Sequence, residues 1–180
     1  MRHEEIIFSG FGGQGALFAG QLLAYTGIAE GLHVTWIPSY GPEMRGGTAN
    51  CTVILSEEEI GAPIIRNPTS AVVLNLPSLE KYGPLVKPGG VILVNTSLVD
   101  AKSPREDIRV IEVPASDIAS ELGNPRMANL VMLGAFIAAT GIVESATVEQ
   151  QLSVHLSERQ RKWLEPNKLA LARGVQLVTS

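Results

Sequence analysis

The sequence predicts an α/β protein, a three-layer α/β/α domain on a mixed, mostly parallel β-sheet. Short apolar runs alternate along the chain with stretches of helical spacing, the pattern of strands connected by helices. Two of the runs, residues 71–76 and 91–95, are rich in Val, Leu and Ile, as strands buried on both faces are. No repeat, low-complexity tract or linker interrupts the 180 residues, so we expect residues 1–180 to form a single domain.

The first part of the chain predicts the mixed character of the sheet. Residues 5–9 are an apolar run that predicts a strand, and residues 16–29 show the spacing of a helix that stops near Gly31. Residues 33–37 and 48–55 have the composition of strands. Too little chain separates these two strands for a helix, so we expect an antiparallel element beside parallel strands.

The second half of the chain predicts helices around the remaining strands. The predicted elements are a helix from near Pro77, a turn at residues 87–90, a strand at 109–113, and helices at 116–122, 127–140, 148–156 and 168–178, the last with Asn167 as its N-cap.

Charge and hydropathy exclude two classes of partner. The formal net charge is -4 and no basic stripe is present, which argues against nucleic-acid binding. The longest uncharged stretch, residues 127–143, falls short of the roughly 20 apolar residues of a membrane span, so we expect a helix buried in the core or under a partner. The N-terminus lacks the pattern of a signal peptide, so we expect a cytoplasmic protein without a membrane segment.

Cys51 is the only cysteine of the chain. It has no partner for a disulfide within the chain, which suits a reducing cytoplasm. An iron–sulfur cluster normally takes four thiolates, so this chain alone does not supply the ligands for one. We expect Cys51, in a predicted strand, to be an inert buried thiol.

A glycine loop follows the first predicted strand. Gly10, Gly12 and Gly15 match the spacing G-x-G-x-x-G between a strand and a helix, where a dinucleotide fingerprint lies. The acidic residue that should follow about 20 residues later is absent, because residues 34–39 contain no Asp or Glu. Three interpretations stay open for Gly12, Gly13, Gln14 and Gly15: close packing or subunit contact, binding of an anion, and binding of NAD or FAD.

A second unusual loop, residues 39–47, combines three glycines with Pro42 and presents Tyr40, Glu43 and Arg45. Arg45 is suited to hold a carboxylate or phosphate with two hydrogen bonds, or to form a surface ion pair with Glu43. The loops follow the first two strands, so an open α/β sheet tends to place them at the same edge, where they would form a shared site.

Together the two loops resemble the gamma subunit, or gamma domain, of the 2-oxoacid:ferredoxin oxidoreductase family. The second loop, continued through Thr48 and Ala49, is the more specific motif. Further segments that resemble the family are residues 124–129, residues 133–135 and residues 167–171, so the resemblance spans the chain in order. Phe11 and the continuation at residues 48–51 look most like the 2-oxoglutarate type.

The resemblance implies a complex that decarboxylates a 2-oxoacid on thiamine diphosphate, captures the acyl group on coenzyme A and passes electrons to ferredoxin. Thiamine diphosphate, magnesium and iron–sulfur clusters are then expected in the partner alpha, beta and delta subunits, with no cofactor and no catalytic residue in this chain. Gly12, Gly13, Gln14, Gly15, Tyr40, Glu43 and Arg45 would form loops that contact partners or complete their active site. In isolation the chain is expected to be inactive and free to form a homodimer. The alternative is a free-standing oxidoreductase that binds NAD(P) or flavin at residues 10–15.

Overall fold

The computed structural model describes residues 1–40 and 48–180, without the side chain of Tyr40. In this part of the chain six strands form one sheet in the order β2-β3-β1-β4-β5-β6. The strands are β1 (His3–Phe11), β2 (His33–Tyr40), β3 (Thr48–Ser56), β4 (Ser70–Val73), β5 (Val91–Asn95) and β6 (Arg109–Val113).

The sheet is mixed in the way that the sequence predicts. β1, β4, β5 and β6 pair in parallel, whereas β3 lies between β1 and β2 and runs antiparallel to both. β2 therefore points in the same direction as β1, although the two strands are not neighbours. Pro38 lies in β2, an edge strand, where proline is tolerated because one side of the strand needs no ladder hydrogen bonds.

The described residues also contain six α-helices. They are α1 (Ala16–Ala29), α2 (Leu76–Tyr82), α3 (Ala115–Glu121), α4 (Ala128–Thr140), α5 (Ser145–His155) and α6 (Leu164–Thr179). Short 3₁₀ segments at Gly83–Leu85, Pro125–Met127 and Glu158–Trp163 lead out of α2 and into α4 and α6.

The helices cover the two faces of the sheet unequally. The larger apolar core joins α1, α3, α4, α5 and α6 to one face, through residues such as Phe8, Val53 and Leu93. The smaller core joins α2 and the connection before β6 to the other face, through Ile7 and Ile92. The three layers are therefore present, with most of the helical mass on one side.

The long apolar stretch forms α4, and residues 128–137 of this helix are all buried. Its neighbour α6 approaches it at two glycines, Gly134 and Gly174. A Cβ at Gly134 would lie 2.0 Å from the carbonyl oxygen of Leu171, and one at Gly174 would lie 2.0 Å from that of Val131. The two helix backbones are thus in direct contact, and α4 is an interior helix. Among the described helices none has the length and hydropathy that a bilayer crossing needs.

The prediction for the start of the last helix was wrong. α6 begins at Leu164, after Trp163 at the N-cap position, and Asn167 lies inside the helix. Pro166 lies in the first turn of this helix, where the missing N–H of a proline is not needed. The cap residue of this region is Ser157, whose side chain and main chain form a capping box with Gln160 at the preceding 3₁₀ segment.

Candidate functional site

The glycine loop connects the end of β1 to α1 at the carboxyl edge of the sheet. Gly12 and Gly13 are exposed, and Gln14 and Gly15 are half-buried. The main-chain N–H of Gln14 donates to the carbonyl of Phe11 at 3.1 Å, which closes a tight turn. Gly15 precedes α1 with φ at 80°, a left-handed conformation that favours glycine.

The side chain of Gln14 holds the loop from inside. Its Oε1 accepts a hydrogen bond from the main-chain N–H of Phe11 at 2.6 Å and another from Asn75 Nδ2 at 3.3 Å. A Cβ at Gly10 would lie 2.7 Å from the same oxygen, so a larger residue there would displace the Gln14 amide from this position. The amide of Gln14 therefore fills the space under the turn and links it to the start of α2.

Asn129 holds the other end of the loop. Its Nδ2 donates to the carbonyl of Gly15 at 3.2 Å, and its Oδ1 accepts from the main-chain N–H of Leu130 at 2.9 Å. A Cβ at Gly15 would lie 2.4 Å from Asn129 Nδ2. Gly15 is thus required both by its backbone angle and by the close approach of α4.

The second loop leaves from the same edge of the sheet, as the sequence predicts. Tyr40, the last residue of β2, pairs with Ala49 on β3, and Phe11, the last residue of β1, pairs with Thr48. The two strand ends therefore flank the first residues of β3. Glu43 and Arg45 lie outside the described residues, so their predicted role is a proposal below.

The side chains that hydrogen-bond to the glycine loop are amides. Asn75 also caps α2 by accepting from the main-chain N–H of Ser78 at 2.9 Å. Amides at neutral pH neither transfer protons nor act as nucleophiles, so the described part of this site offers no general acid or base. The arrangement is suited to present a rigid main-chain surface to another molecule.

Cys51 lies in β3 under α1 and is fully buried. Burial in this apolar core raises the pKa of its thiol to about 12. At neutral pH the group is therefore a protonated core thiol and not a nucleophile.

The donor set of the chain does not fit an iron–sulfur cluster, because Cys51 is its only thiol. Across residues 1–40 and 48–180, no three His, Cys, Asp or Glu side chains come together in a way that suits a metal ion.

The topology also argues against a dinucleotide site. In the dinucleotide-binding fold the strand beside β1 runs parallel to it and carries the acidic residue for the ribose. Here that neighbour is β3, which runs antiparallel and places Thr48 beside Phe11. The loop therefore has the glycine spacing of the dinucleotide fingerprint, but the sheet around it has a different strand order.

Sequence reasoning did not select Asn75 as a site residue, and it quoted Asn129 only as part of a family-like segment. A usable signal for Asn75 was its position directly after an apolar run and two residues before Pro77, typical of an N-cap at a strand end. No comparable signal pointed to the contact of Asn129 with Gly15, which are 114 residues apart.

Comparison with known proteins agrees with the motifs. A family model described as pyruvate ferredoxin/flavodoxin oxidoreductase matches residues 5–177. The 2-oxoglutarate synthase subunit KorC of Methanocaldococcus jannaschii is 36% identical over 97% of this chain and 93% of its own length. The ketoisovalerate oxidoreductase subunit VorA of Methanothermobacter marburgensis is 43% identical over 81% of this chain, which spans only 30% of that longer relative.

Two solved structures share the fold. The keto/oxoacid ferredoxin oxidoreductase gamma subunit of Geobacter sulfurreducens superposes with a TM-score of 0.83 at 32% identity, covering 97% of this chain and 98% of that one. The 2-oxoglutarate:ferredoxin oxidoreductase of Magnetococcus marinus, with 2-oxoglutarate, coenzyme A and succinyl-CoA bound, has a TM-score of 0.90. At 24% identity, covering 99% of this chain and 31% of that one, it supports the fold alone.

The fold and the glycine-loop edge therefore define a protein of the α/β class with a mixed six-stranded sheet and a glycine loop at its carboxyl edge. The chain belongs to the pyruvate ferredoxin/flavodoxin oxidoreductase family, in which it corresponds to the gamma subunit. The resemblance drawn from the sequence motifs is confirmed.

Proposed function

We propose that this chain is the gamma subunit of a multi-subunit 2-oxoacid:ferredoxin oxidoreductase and acts there as a docking and site-completing subunit. The observation that carries the proposal is the glycine loop, which the side-chain amides of Gln14 and Asn129 hold by hydrogen bonds to the main chain of Phe11 and Gly15. Such a loop is pre-organised for contact and has no described group for acid–base chemistry. Thiamine diphosphate, magnesium and the iron–sulfur clusters belong in this proposal to the alpha, beta and delta subunits.

Exposed apolar side chains beside the loop support docking at this edge. Phe11 at the end of β1 is 39% exposed, and Leu76 at the start of α2, after the neighbouring strand β4, is also 39% exposed. Burying large apolar side chains against a partner is favourable, and a loop that is already ordered loses little entropy on binding. Phe11, Leu76 and the exposed Gly12 and Gly13 therefore form the proposed contact surface.

Within the same proposal Tyr40, Glu43 and Arg45 of the second loop contribute to the active site of the partner subunits. The planar guanidinium of Arg45 is suited to a carboxylate or phosphate, the groups that a 2-oxoacid and coenzyme A carry. The 2-oxoacid is oxidatively decarboxylated in the partner subunits, the acyl group is transferred to coenzyme A and the electrons pass to ferredoxin. We propose a cytoplasmic location for the complex.

We propose 2-oxoglutarate as the 2-oxoacid. Four relatives named as KorC subunits of 2-oxoglutarate synthase are 32–36% identical and align over 88–96% of their own lengths. Ketoisovalerate is the second candidate, favoured by the 43% identity to a VorA subunit. Activity of the assembled complex with 2-oxoglutarate, ketoisovalerate and pyruvate, compared as kcat/KM, separates the two.

The assembly is tested by co-expressing the chain with the subunits encoded by adjacent genes. We expect a tagged chain to co-purify with them and the complex to reduce ferredoxin when a 2-oxoacid and coenzyme A are present, whereas the chain alone is inactive. Turnover by the isolated chain, or failure to co-purify, contradicts the proposal. Saturable binding of NAD(P) or flavin in calorimetry would favour the alternative of a free-standing oxidoreductase.

The role of the second loop is tested with Arg45→Ala. We expect this variant to lower assembly or acyl transfer to coenzyme A by about tenfold or more, because a charge-assisted contact is lost. Arg66→Ala is the matched control, since Arg66 is exposed and has no ion-pair partner among the described residues. Equal activity of both variants would contradict a role for Arg45.

A further inference from the structure

A groove of about 570 Å³ opens beside the N-terminus of α4, next to the glycine loop. Asn129, which holds the carbonyl of Gly15, also lines this groove. The groove joins two segments that the family-like motifs single out, since Asn124 and Arg126 lie on one and Asn167 on the other. The function proposed above assigns no role to Asn124, Arg126 or Asn167.

The floor of the groove is apolar. Phe18, Met127, Leu130 and Leu156 line it, together with the ring of Trp163, which is 39% exposed. An exposed tryptophan over an apolar floor is a typical anchor position at protein interfaces. This floor suits an apolar side chain of a bound molecule.

The walls of the groove carry amide groups with unused hydrogen-bonding capacity. Within the described part of the chain, Asn124 uses its Oδ1 to accept from the main-chain N–H of Arg126, and Gln160 uses its Oε1 to accept from Ser157. Their NH₂ groups have no partner there, and the same is true of both amide atoms of Asn167. Side-chain amides donate and accept at once, so they match the carbonyl and N–H groups of an extended peptide.

One cation lines the groove and three more lie on a segment beside it, although the chain as a whole has a net charge of -4. Arg126 lines the groove, and the 3₁₀ segment that supplies Gln160 and Trp163 also carries Arg159, Arg161 and Lys162 against one carboxylate, Glu158. Across residues 1–40 and 48–180, none of these four cations has a carboxylate within 4 Å, whereas Arg2, Arg105 and Arg173 do. Arg126 and the three exposed cations of the neighbouring segment therefore favour an anionic partner on this side of the molecule.

We propose that this groove binds an extended, carboxylate-bearing peptide segment of a partner subunit. The amides bond to its main chain, the apolar floor takes one of its side chains and Arg126 with the neighbouring cations pairs with its Asp or Glu residues. The inference rests on the proposed function, because it places the partner in the same complex. Since Asn129 contacts both the groove and Gly15, the segment lies against the glycine-loop surface as a continuation of it.

The test is charge reversal in the co-expressed complex. We expect Arg126→Glu combined with Arg161→Glu to weaken binding of the gamma subunit to its partners by about tenfold or more, and the wild-type affinity to fall as salt rises. Arg66→Glu is the control for charge, because Arg66 is exposed and lies outside the groove. Unchanged thermal unfolding of the isolated variants shows that they are folded.

A photo-crosslinking residue in place of Gln160 identifies the occupant directly. We expect a crosslink to a short partner stretch that contains Asp or Glu. Assembly and activity that survive the charge reversal overturn this inference but leave the proposed function intact. If the charge-reversed complex assembles but its KM for coenzyme A rises, the inference is also overturned and the proposed function stands. The groove would then hold a small anion instead of a peptide. Failure of the wild-type chain to assemble refutes the proposed function itself.

Discussion

Gln14 shows how one side chain organises the glycine loop. Its Oε1 accepts hydrogen bonds from the main-chain N–H of Phe11 and from Asn75 Nδ2 at the same time. The loop is therefore defined by an acceptor inside it as much as by the conformational freedom of its glycines. Replacing that acceptor is a direct way to loosen the loop without touching a glycine.

Gln14→Ala should cost about 1 kcal/mol and speed hydrogen exchange at the Phe11 amide about fivefold, because one internal acceptor is lost. Gln14→Glu keeps an oxygen in the same place and should retain the protection. Amide exchange followed by mass spectrometry or NMR measures both variants. Equal exchange in the alanine variant and the wild type would show that the side chain does not hold the turn.

Cys51 links stability to alkaline pH. The folded state raises its pKa to about 12 from an ordinary value of 9.0, so the folded state keeps a proton that the unfolded state loses above about pH 9. The stabilisation is complete below pH 9 and is lost as pH rises toward 12.

The free energy of unfolding of the wild type, relative to Cys51→Ala, should therefore fall above pH 9 by up to about 1.4 kcal/mol per pH unit. Other titrating groups cancel in this difference. Urea denaturation of both proteins at pH 7, 9 and 10.5 gives the measurement. Parallel stability curves across this range would mean that the thiol is not held in its protonated form.

The pairing of α4 with α6 depends on glycines that bring two main chains together. Gly134 and Gly174 each meet a carbonyl oxygen of the other helix at a distance that excludes a Cβ. Because the two main chains are in contact, a side chain added between them can be accommodated only if one helix moves as a whole. This pair also forms one wall of the core and carries Asn129 and Asn167 to the groove.

Gly134→Ala should destabilise the fold by about 3 kcal/mol, because the collision is with a main chain rather than with a flexible side chain. Gly61→Ala is the matched control, since nothing lies within 4 Å of a Cβ there and its φ is not in the left-handed region. That variant should stay within about 0.5 kcal/mol of the wild type. Chemical denaturation compares them, and equal effects of the two changes would contradict the close helix contact.

In the molecule as a whole, a single sheet contributes residues to both apolar cores. β1 contributes Ile6 and Phe8 to the larger core and Ile7 to the smaller one, so neither core separates without breaking the central strand. We therefore predict that residues 1–180 unfold as a single cooperative domain.

Scanning calorimetry of the isolated chain should show one transition with an enthalpy of about 125 kcal/mol near 60 °C, from the average of about 0.7 kcal/mol per residue. The van't Hoff and calorimetric enthalpies should agree. Two resolved transitions would instead indicate that the smaller core melts independently.

Local sequence patterns predicted most of the elements. α1, β5 and β6 have the predicted bounds, the antiparallel pair of β2 and β3 is present, and the ends of β1 and β2 share an edge. The errors lie at the ends of elements: the run at residues 71–76 forms a strand only over Ser70–Val73, and Asn167 lies inside α6 instead of at its N-cap. The family followed from the motifs of the two loops, and the single cysteine led to the expectation that iron–sulfur clusters lie in partner subunits.

Periodicity, turn chemistry and residue counts are encoded by neighbours a few positions apart, so they were readable from the linear chain. The tether between Gln14 and Asn75 spans 61 residues and the one between Asn129 and Gly15 spans 114. The contact of Gly134 with α6 and the amide-lined groove likewise join distant segments. Such contacts depend on the path of the backbone through space. That path sets the distances between residues far apart in sequence, and no local pattern contains those distances. Only the tertiary structure therefore decided these contacts.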